Sequence, residues 1–195
     1  MIKISSNVYV NDRTIYLSDD VDNESTGIIN SNLIKLIESD NQEGEQKKNY
    51  KRKPIKFYIN TDGGELTDMW AIADIMQNSK TPIYTYCTGK AFSAGFWLFI
   101  SGHKRFISQH AIVLIHSLYS CTEGKIQNMI EQLKHQVNVK KTIENYIVKH
   151  TKIKQDRLDE VREKKLNWFL TAQECLDLGV ADDWIANESK DSDNN

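Results

Sequence analysis

Short apolar runs alternate along this chain with stretches in which apolar residues recur every three or four positions. The short runs predict strands at 14–17, 54–59, 82–87, 104–107, 111–116 and 180–184. The helical spacing predicts helices at about 23–37, 66–77, 96–100, 123–150, 154–163 and 171–178. Repeated strand–helix units joined by right-handed crossovers predict an α/β fold.

Two polar stretches are predicted to lie outside the core. Residues 39–53 contain almost nothing that a core could bury, which predicts a mobile surface insert at about 40–53. The basic end of this insert could suit nucleic acid, but its acidic first half argues against that use. The polar, acidic residues 187–195 predict a disordered tail. We therefore expect one domain over residues 1–186.

The helix predicted at 123–150 is longer than most helices in globular proteins. Ile126, Ile130, Leu133 and Val137 recur along it at helical spacing. A helix of this length on a small domain is expected to project and to pack against another surface. The pattern therefore indicates an oligomer.

Composition narrows the class of protein. The 195 residues carry a net charge of −2, so no overall positive field favours nucleic acid or a membrane surface. The first residues lack a signal-peptide pattern and no apolar run is long enough to span a membrane, which predicts a cytoplasmic protein. The three cysteines, Cys87, Cys121 and Cys175, are widely spaced, which favours free thiols over disulfides or a zinc site. We expect no metal and no cofactor.

Candidate chemistry lies between residues 84 and 116. The small-residue cluster around Ser93 separates an apolar strand from an apolar helix, so this serine would lie at the amino end of the helix. The next backbone N–H, that of Ala94, has no partner within the helix and could face a developing negative charge. His116 ends the next apolar run and could act as a general base. The layout indicates a serine hydrolase.

A glycine pair, Gly63 and Gly64, follows the strand predicted at 54–59. Glycines between a strand and a helix let the backbone approach a ligand and turn its N–H groups outward. An ordinary strand-to-helix turn has the same pattern, so both interpretations stand.

Four motifs in order resemble the Clp-type serine peptidases (ClpP). They are Tyr-Ile-Asn-Thr-Asp-Gly-Gly at 58–64, Gly-Lys-Ala-Phe-Ser-Ala-Gly at 89–95, Ile-His-Ser at 115–117 and Phe-Leu-Thr-Ala-Gln-Glu-Cys-Leu-Asp-Leu-Gly-Val-Ala-Asp at 169–182. The resemblance implies the ClpP/crotonase fold of repeated β-β-α units with a protruding handle helix. It also implies heptameric or stacked rings that enclose the active sites, a Clp-type ATPase partner, and peptides or unfolded proteins as substrates.

The same resemblance assigns roles to particular residues. Ser93 would be the nucleophile and His116 the general base, with the N–H groups of Gly64 and Ala94 forming the oxyanion hole. Asn167 stands where the family has the third member of its triad. A substrate strand would lie between Gly63 on one side and Ser117 and Leu118 on the other.

The chain departs from the family pattern at three places. Asn167 replaces an aspartate, so it can orient the histidine but supplies no negative charge. Trp168 replaces an arginine that bridges the rings in many members of the family. Only residues 1–13 precede the strand predicted at 14–17, where the family has a longer segment that meets the ATPase. The changes at Asn167 and Trp168 leave open a catalytically weak or inactive ring subunit. A crotonase-like enzyme that acts on acyl thioesters is a further alternative, because the implied fold and oxyanion arrangement would suit it too.

Overall fold

The computed structural model of this protein describes residues 2–3, 8–117, 123–164 and 166–185. Nine strands and six helices lie in these ranges. The strands are β1 (Ile2–Lys3), β2 (Val8–Asn11), β3 (Thr14–Leu17), β4 (Ile55–Thr61), β5 (Ile83–Phe92), β6 (Lys104–Ile107), β7 (Ile112–Ile115), β8 (Trp168–Thr171) and β9 (Asp183–Trp184). The helices are α1 (Asn23–Gln46), α2 (Leu66–Asn78), α3 (Ala94–Ile100), α4 (Ile126–His150), α5 (Gln155–Glu163) and α6 (Ala172–Asp177).

The strands form one sheet in the order β1-β2-β3-β4-β5-β6-β9, in which the steps from β3 to β9 are parallel. Strand β5 is the branch point of this sheet. Its first half pairs with β6, whereas residues Lys90–Phe92 pair in parallel with β7. Strand β8 then adds antiparallel to β7. The prediction of an α/β fold is confirmed.

The core lies between the sheet and the helices. Strand β4 alternates strictly, with Ile55, Phe57 and Ile59 fully buried on one face. Helix α3 is apolar on every side, and all seven of its residues are buried. A helix of this kind is stable only inside a core. The amino end of α3 is therefore held at a fixed place beside the sheet.

The prediction of a mobile surface insert at about 40–53 is wrong for the first half of this range, because α1 continues as a helix to Gln46. The reason is a buried carboxylate that composition alone did not reveal. Asp40 is 1% exposed and binds the Arg13 guanidinium, with its oxygens 2.7 and 3.0 Å from the two terminal nitrogens. The hydroxyls of Tyr50 and Thr81 also donate to Asp40, at 2.8 and 2.7 Å. This network fixes the added helical turns to the sheet.

Two strands precede the segment that was predicted as the first one. β1 and β2 pair antiparallel with each other, and β2 pairs with β3. They are two and four residues long, and neither was predicted from the sequence. Strand β5 also runs on to Phe92 instead of ending at Cys87, because β7 supplies a second partner for its last residues. The final strand contains only Asp183 and Trp184.

The long helix is confirmed as α4, which has 25 residues and is about 37 Å long. It begins at Ile126. Its only buried residues are Ile143 and Ile147, in its last third, where it packs on the core. Among the described residues, no helix has both the length and the apolar composition needed to cross a membrane.

Candidate active site

Ser93 occupies a strained turn between β5 and α3. Its φ of 51° and ψ of −121° lie in a region that residues with a side chain rarely adopt. Such a conformation costs on the order of 1–3 kcal/mol and persists only where the surroundings impose it. Here β5 and the fully buried α3 impose it from both sides, and the Ser93 N–H donates to the carbonyl of Leu114 at 3.1 Å. The serine is half-buried.

The glycine pair lies directly against this turn. A Cβ atom placed on Gly63 would lie 2.8 Å from Cβ of Ser93 and 3.0 Å from the backbone nitrogen of Ala94. Gly63 and Gly64 have φ values of 112° and 144°, which favour glycine. A Cβ on Gly64 would lie 2.1 Å from the carbonyl oxygen of Val21. Both positions therefore require glycine, for space as well as for conformation.

A backbone bridge to Val21 orients the peptide group that joins the two glycines. The Val21 N–H donates to the Gly63 carbonyl at 2.7 Å, and the Glu65 N–H donates to the Val21 carbonyl at 2.8 Å. In a trans peptide the C=O and N–H point in opposite directions. Since the Gly63 carbonyl is turned toward Val21, the Gly64 N–H is turned away from it. Among the described residues, no hydrogen bond is made by this amide, which faces the side opposite Val21.

His116 follows β7, the parallel neighbour of the last residues of β5. The register pairs Phe92 with Leu114, so Ser93 and His116 leave adjacent strands at the same edge of the sheet. The Nδ1 atom of His116 lies 2.6 Å from the carbonyl oxygen of Ser117. A carbonyl can only accept, so Nδ1 is the donor in this contact and Nε2 is the ring nitrogen left for another partner. Among the described residues, no hydrogen bond joins the Ser93 hydroxyl to His116.

Asn167 directly precedes β8, and His116 directly follows β7. The antiparallel register pairs Ile115 with Trp168, and its continuation sets Asn167 opposite His116. The Asn167 side chain is exposed, and the bond to Nδ1 is made by the Ser117 carbonyl instead. The ring of Trp168 stacks under the guanidinium of Arg157, whose Cζ atom is 4.5 Å from the ring centroid.

One cavity of about 690 Å³ connects these groups. Its inner wall contains Gly64, Ser93, Ala94, His116 and Ser117. Asn167 is not among the residues that line it. Leu118, the other residue predicted to contact substrate, lies outside the described residues.

The opposite wall of the cavity comes from α4 and α5. It is mainly apolar, with Ile143, Ile147, Leu158 and Val161 among its residues. Arg162 adds a positive charge there that is already compensated, since its Nη1 atom binds Glu144 at 3.2 Å and Asp159 at 2.6 Å. This wall offers mostly apolar contact to a ligand.

The two cysteines that the structure describes do not compete with Ser93 as nucleophiles. Cys87 and Cys175 are free and fully buried. Burial raises the pKa of the Cys87 thiol to about 12 and also raises the pKa of Cys175. Neither thiol is ionised at neutral pH. Cys121 lies outside the described residues.

Sequence reasoning missed two residues of this site, Val21 and Thr61. Val21 orients the glycine pair through its backbone, which leaves no signal in the sequence. Thr61 is fully buried, and its hydroxyl oxygen accepts the Gly63 N–H at 3.0 Å. Its position two residues before Gly63 was the one available hint. Within the described ranges, no cluster of His, Cys, Asp and Glu could hold a metal ion.

A serine at a strained strand-to-helix turn, together with a histidine and a glycine amide on one cavity, is the arrangement that serine hydrolases use. Comparison with known proteins makes the class more specific. The family model described as Clp protease matches residues 2–188. The chain is 29% identical over 173 residues to the ATP-dependent Clp protease proteolytic subunit 1 of Nocardia farcinica (strain IFM 10152). The aligned region covers 88% of this chain and 82% of that relative. This chain belongs to the Clp protease family, which confirms the resemblance seen in its motifs.

Proposed function

We propose that this chain is a serine endopeptidase of the Clp type that cleaves peptides or unfolded proteins. The observation that carries the proposal is the shared cavity of Ser93, His116 and Gly64 at one edge of the sheet. Family membership supports the same activity. The relative from Nocardia farcinica is named as a proteolytic subunit of an ATP-dependent protease, and we extend peptidase activity to this chain by analogy.

In the proposed first step, the Ser93 hydroxyl attacks the carbonyl carbon of the scissile peptide bond. Nε2 of His116 takes the hydroxyl proton, since a serine is a weak nucleophile without a base. Ser93 and His116 line the same cavity, and hydrogen bonds between a nucleophile and its base often tighten only when substrate is bound. The proton on Nδ1 stays hydrogen-bonded to the Ser117 carbonyl.

The carbonyl oxygen of the substrate becomes an oxyanion in this step. Gly64 and Ala94 line the cavity together with Ser93, and in this proposal their N–H groups donate to the oxyanion. Each donor of this kind is worth about 2.7–4 kcal/mol in the barrier. Collapse of the intermediate breaks the C–N bond, and His116 gives its proton to the leaving amine. Water then takes the place of the amine: it attacks the acyl carbon while His116 accepts its proton, and the Ser93 oxygen leaves and takes that proton back.

We further propose that Asn167 supports His116 when substrate is bound, since the two residues adjoin Trp168 and Ile115, the last pair of the ladder between β7 and β8. The substrate would lie as an added strand between Gly63 and the segment that begins at Ser117 and Leu118. Assembly into rings with the active sites inside, and delivery of substrate by a Clp-type ATPase, belong to the same proposal.

One observation favours a second candidate, a ring subunit with little or no activity. The Ser117 carbonyl and the exposed Asn167 are both neutral, so neither offers His116 the negative charge of an aspartate. Such a subunit would retain the fold and the assembly while turning over substrate poorly.

A fluorophosphonate probe tests the main proposal. The probe should label the wild-type chain and should not label Ser93→Ala. A Ser31→Ala variant is the control and should be labelled as strongly as wild type, because Ser31 lies exposed on α1. Cleavage of a fluorogenic peptide should fall at least about 10³-fold in Ser93→Ala. Native mass spectrometry of the labelled protein reports the assembly in the same sample.

Two results would refute the peptidase proposal. One is equal labelling of wild type and Ser93→Ala. The other is an unlabelled, folded wild type in an assay where a characterised Clp peptidase reacts; together with an intact oligomer, that result would favour the inactive ring subunit.

A further inference from the structure

Thr61 is the last residue of β4 and the only side chain that binds Gly63 among the described residues. Its hydroxyl oxygen accepts the Gly63 N–H at 3.0 Å and lies 3.4 Å from the Gly63 carbonyl oxygen. Thr61 and Gly63 are both buried. A buried N–H without an acceptor is costly, so this bond determines how Gly63 is oriented.

The orientation of Gly63 controls the next amide along the chain. The peptide group between Gly63 and Gly64 is planar, so a rotation that moves the Gly63 carbonyl also moves the Gly64 N–H. The Val21 N–H holds that carbonyl from outside at 2.7 Å. The Thr61 hydroxyl holds the preceding N–H of Gly63 from inside. The two bonds together leave the glycine pair little freedom, although glycine is the most flexible residue.

Thr61 also contacts the helix that follows Ser93. A Cβ atom placed on Gly95 would lie 2.4 Å from the Thr61 methyl carbon. The same threonine therefore fits against the first turn of α3 and binds the loop that carries the Gly64 amide. Its neighbours tie β4 to β5 as well, because the side chain of Asn60 accepts the Lys90 N–H and Asp62 forms an ion pair with Lys90.

We infer that Thr61 is a positioning residue, whose hydroxyl keeps the Gly64 N–H directed at the oxyanion beside Ser93. The inference rests on the proposed peptidase function. Thr61 does not touch the reacting atoms. It acts through Gly63, so its loss should slow the chemical step more than it weakens the binding of substrate.

Three variants separate this role from simple stability. Thr61→Val keeps the shape of the side chain and removes the hydroxyl, whereas Thr61→Ser keeps the hydroxyl and removes the methyl group. Thr85→Val is the matched control, because Thr85 is also fully buried and its hydroxyl donates at 2.7 Å to Phe99, at the far end of α3. For each variant, kcat and KM are measured on a fluorogenic peptide, and hydrogen exchange is measured at the Gly63 amide.

We expect kcat of Thr61→Val to fall about 10- to 100-fold with KM within about twofold. Thr61→Ser and Thr85→Val should stay within about threefold of wild type. Exchange at the Gly63 amide should become faster in Thr61→Val only. These results together would support the positioning role.

Several outcomes would overturn the inference. One is a Thr61→Val variant with an unchanged kcat or with unchanged hydrogen exchange at the Gly63 amide. Another is an equal loss of kcat in Thr61→Val and Thr85→Val. The last is a Thr61→Ser variant whose kcat is as low as that of Thr61→Val. In each of these cases a wild-type turnover that depends on Ser93 leaves the peptidase proposal standing. A wild type whose turnover does not depend on Ser93 refutes the proposed function itself, and the positioning role with it.

Discussion

The backbone N–H of Ser93 donates a hydrogen bond of 3.1 Å to the carbonyl oxygen of Leu114. This bond continues the parallel ladder between β5 and β7 by one residue, up to the point where α3 begins. His116 is only two residues beyond Leu114. The backbone alone therefore keeps the two candidate catalytic residues at one edge of the sheet, before any side-chain contact between them is considered.

Gly64→Ala should destabilise the protein far more than Gly124→Ala. Both glycines have a positive φ, 144° and 129°, so both substitutions strain the backbone. Only at Gly64 would the added Cβ meet backbone atoms, 2.1 Å from the Val21 carbonyl oxygen, whereas nothing lies within 4 Å at Gly124. We expect a loss of about 1 kcal/mol at Gly124 and at least about 3 kcal/mol at Gly64, measured by urea unfolding. Equal losses would show that strain alone, and not the approach of Val21, requires glycine at Gly64.

Asn167→Asp should increase kcat by about 10- to 100-fold, because a carboxylate opposite His116 stabilises the imidazolium that forms during proton transfer. This gain in kcat should be smaller than the loss that follows when a catalytic histidine has no partner at Nδ1. Here the Ser117 carbonyl already contacts Nδ1. The measurement is kcat on a fluorogenic peptide. The same change in a His116→Gln background should give no gain. An unchanged kcat in the His116 background would argue that Asn167 does not reach the histidine.

Acid should weaken the protein through Asp40. Burial alone would raise the pKa of this carboxyl, but hydrogen bonds from Arg13, Thr81 and Tyr50 outweigh burial and hold its pKa below the usual value. A group whose pKa is lower in the folded state binds fewer protons there, so its stabilisation is present at neutral pH. That stabilisation is lost as the pH falls below about 4.

An Asp40→Asn variant tests this network. It should lose about 2–4 kcal/mol of unfolding free energy at pH 7, because Arg13 is left without its charged partner. Below pH 4 the difference from wild type should shrink. Asp20→Asn, at an exposed position, serves as the control and should change stability by less than about 0.5 kcal/mol. A constant difference between wild type and Asp40→Asn down to pH 2 would contradict the assignment.

His150 should make stability depend on pH in a higher range. Burial and the nearby charges of Lys149 and Arg105 lower its pKa, against a hydrogen bond to the Tyr146 carbonyl that acts in the opposite direction. The unfolded chain then binds the proton more readily, so stability falls as the pH drops through about 6.5.

In His150→Gln the part of this pH dependence that lies between pH 7 and 5 should disappear. His110→Gln, at an exposed loop position, should leave it unchanged. Thermal unfolding followed over this pH range measures both. A stability that rises on acidification in wild type would mean that His150 is held in its charged form.

The family, the α/β class and most of the elements could be predicted from the chain alone. The motif around Ser93 and the position of His116 at the end of an apolar run are local patterns, and local patterns can be recognised in a linear sequence. The helical turns up to Gln46 were not predicted, because the contacts of Asp40 cannot be seen in the sequence. Its partners Arg13 and Thr81 are distant along the chain, and Tyr50 lies in the segment that was predicted as a mobile insert.

Residue types and their spacing determined which atoms could do chemistry in this protein: a hydroxyl at Ser93, an imidazole at His116 and a glycine pair at Gly63 and Gly64. Only the tertiary structure decided how those atoms are aimed. The Gly64 amide takes its direction from Val21 and Thr61, and Nδ1 of His116 is held by the Ser117 carbonyl. The bond from Val21 uses backbone atoms that almost any residue could supply, so the sequence carries no record of it. The bonds of Thr61 and His116 do use side chains, but only the folded backbone decides which groups those side chains meet.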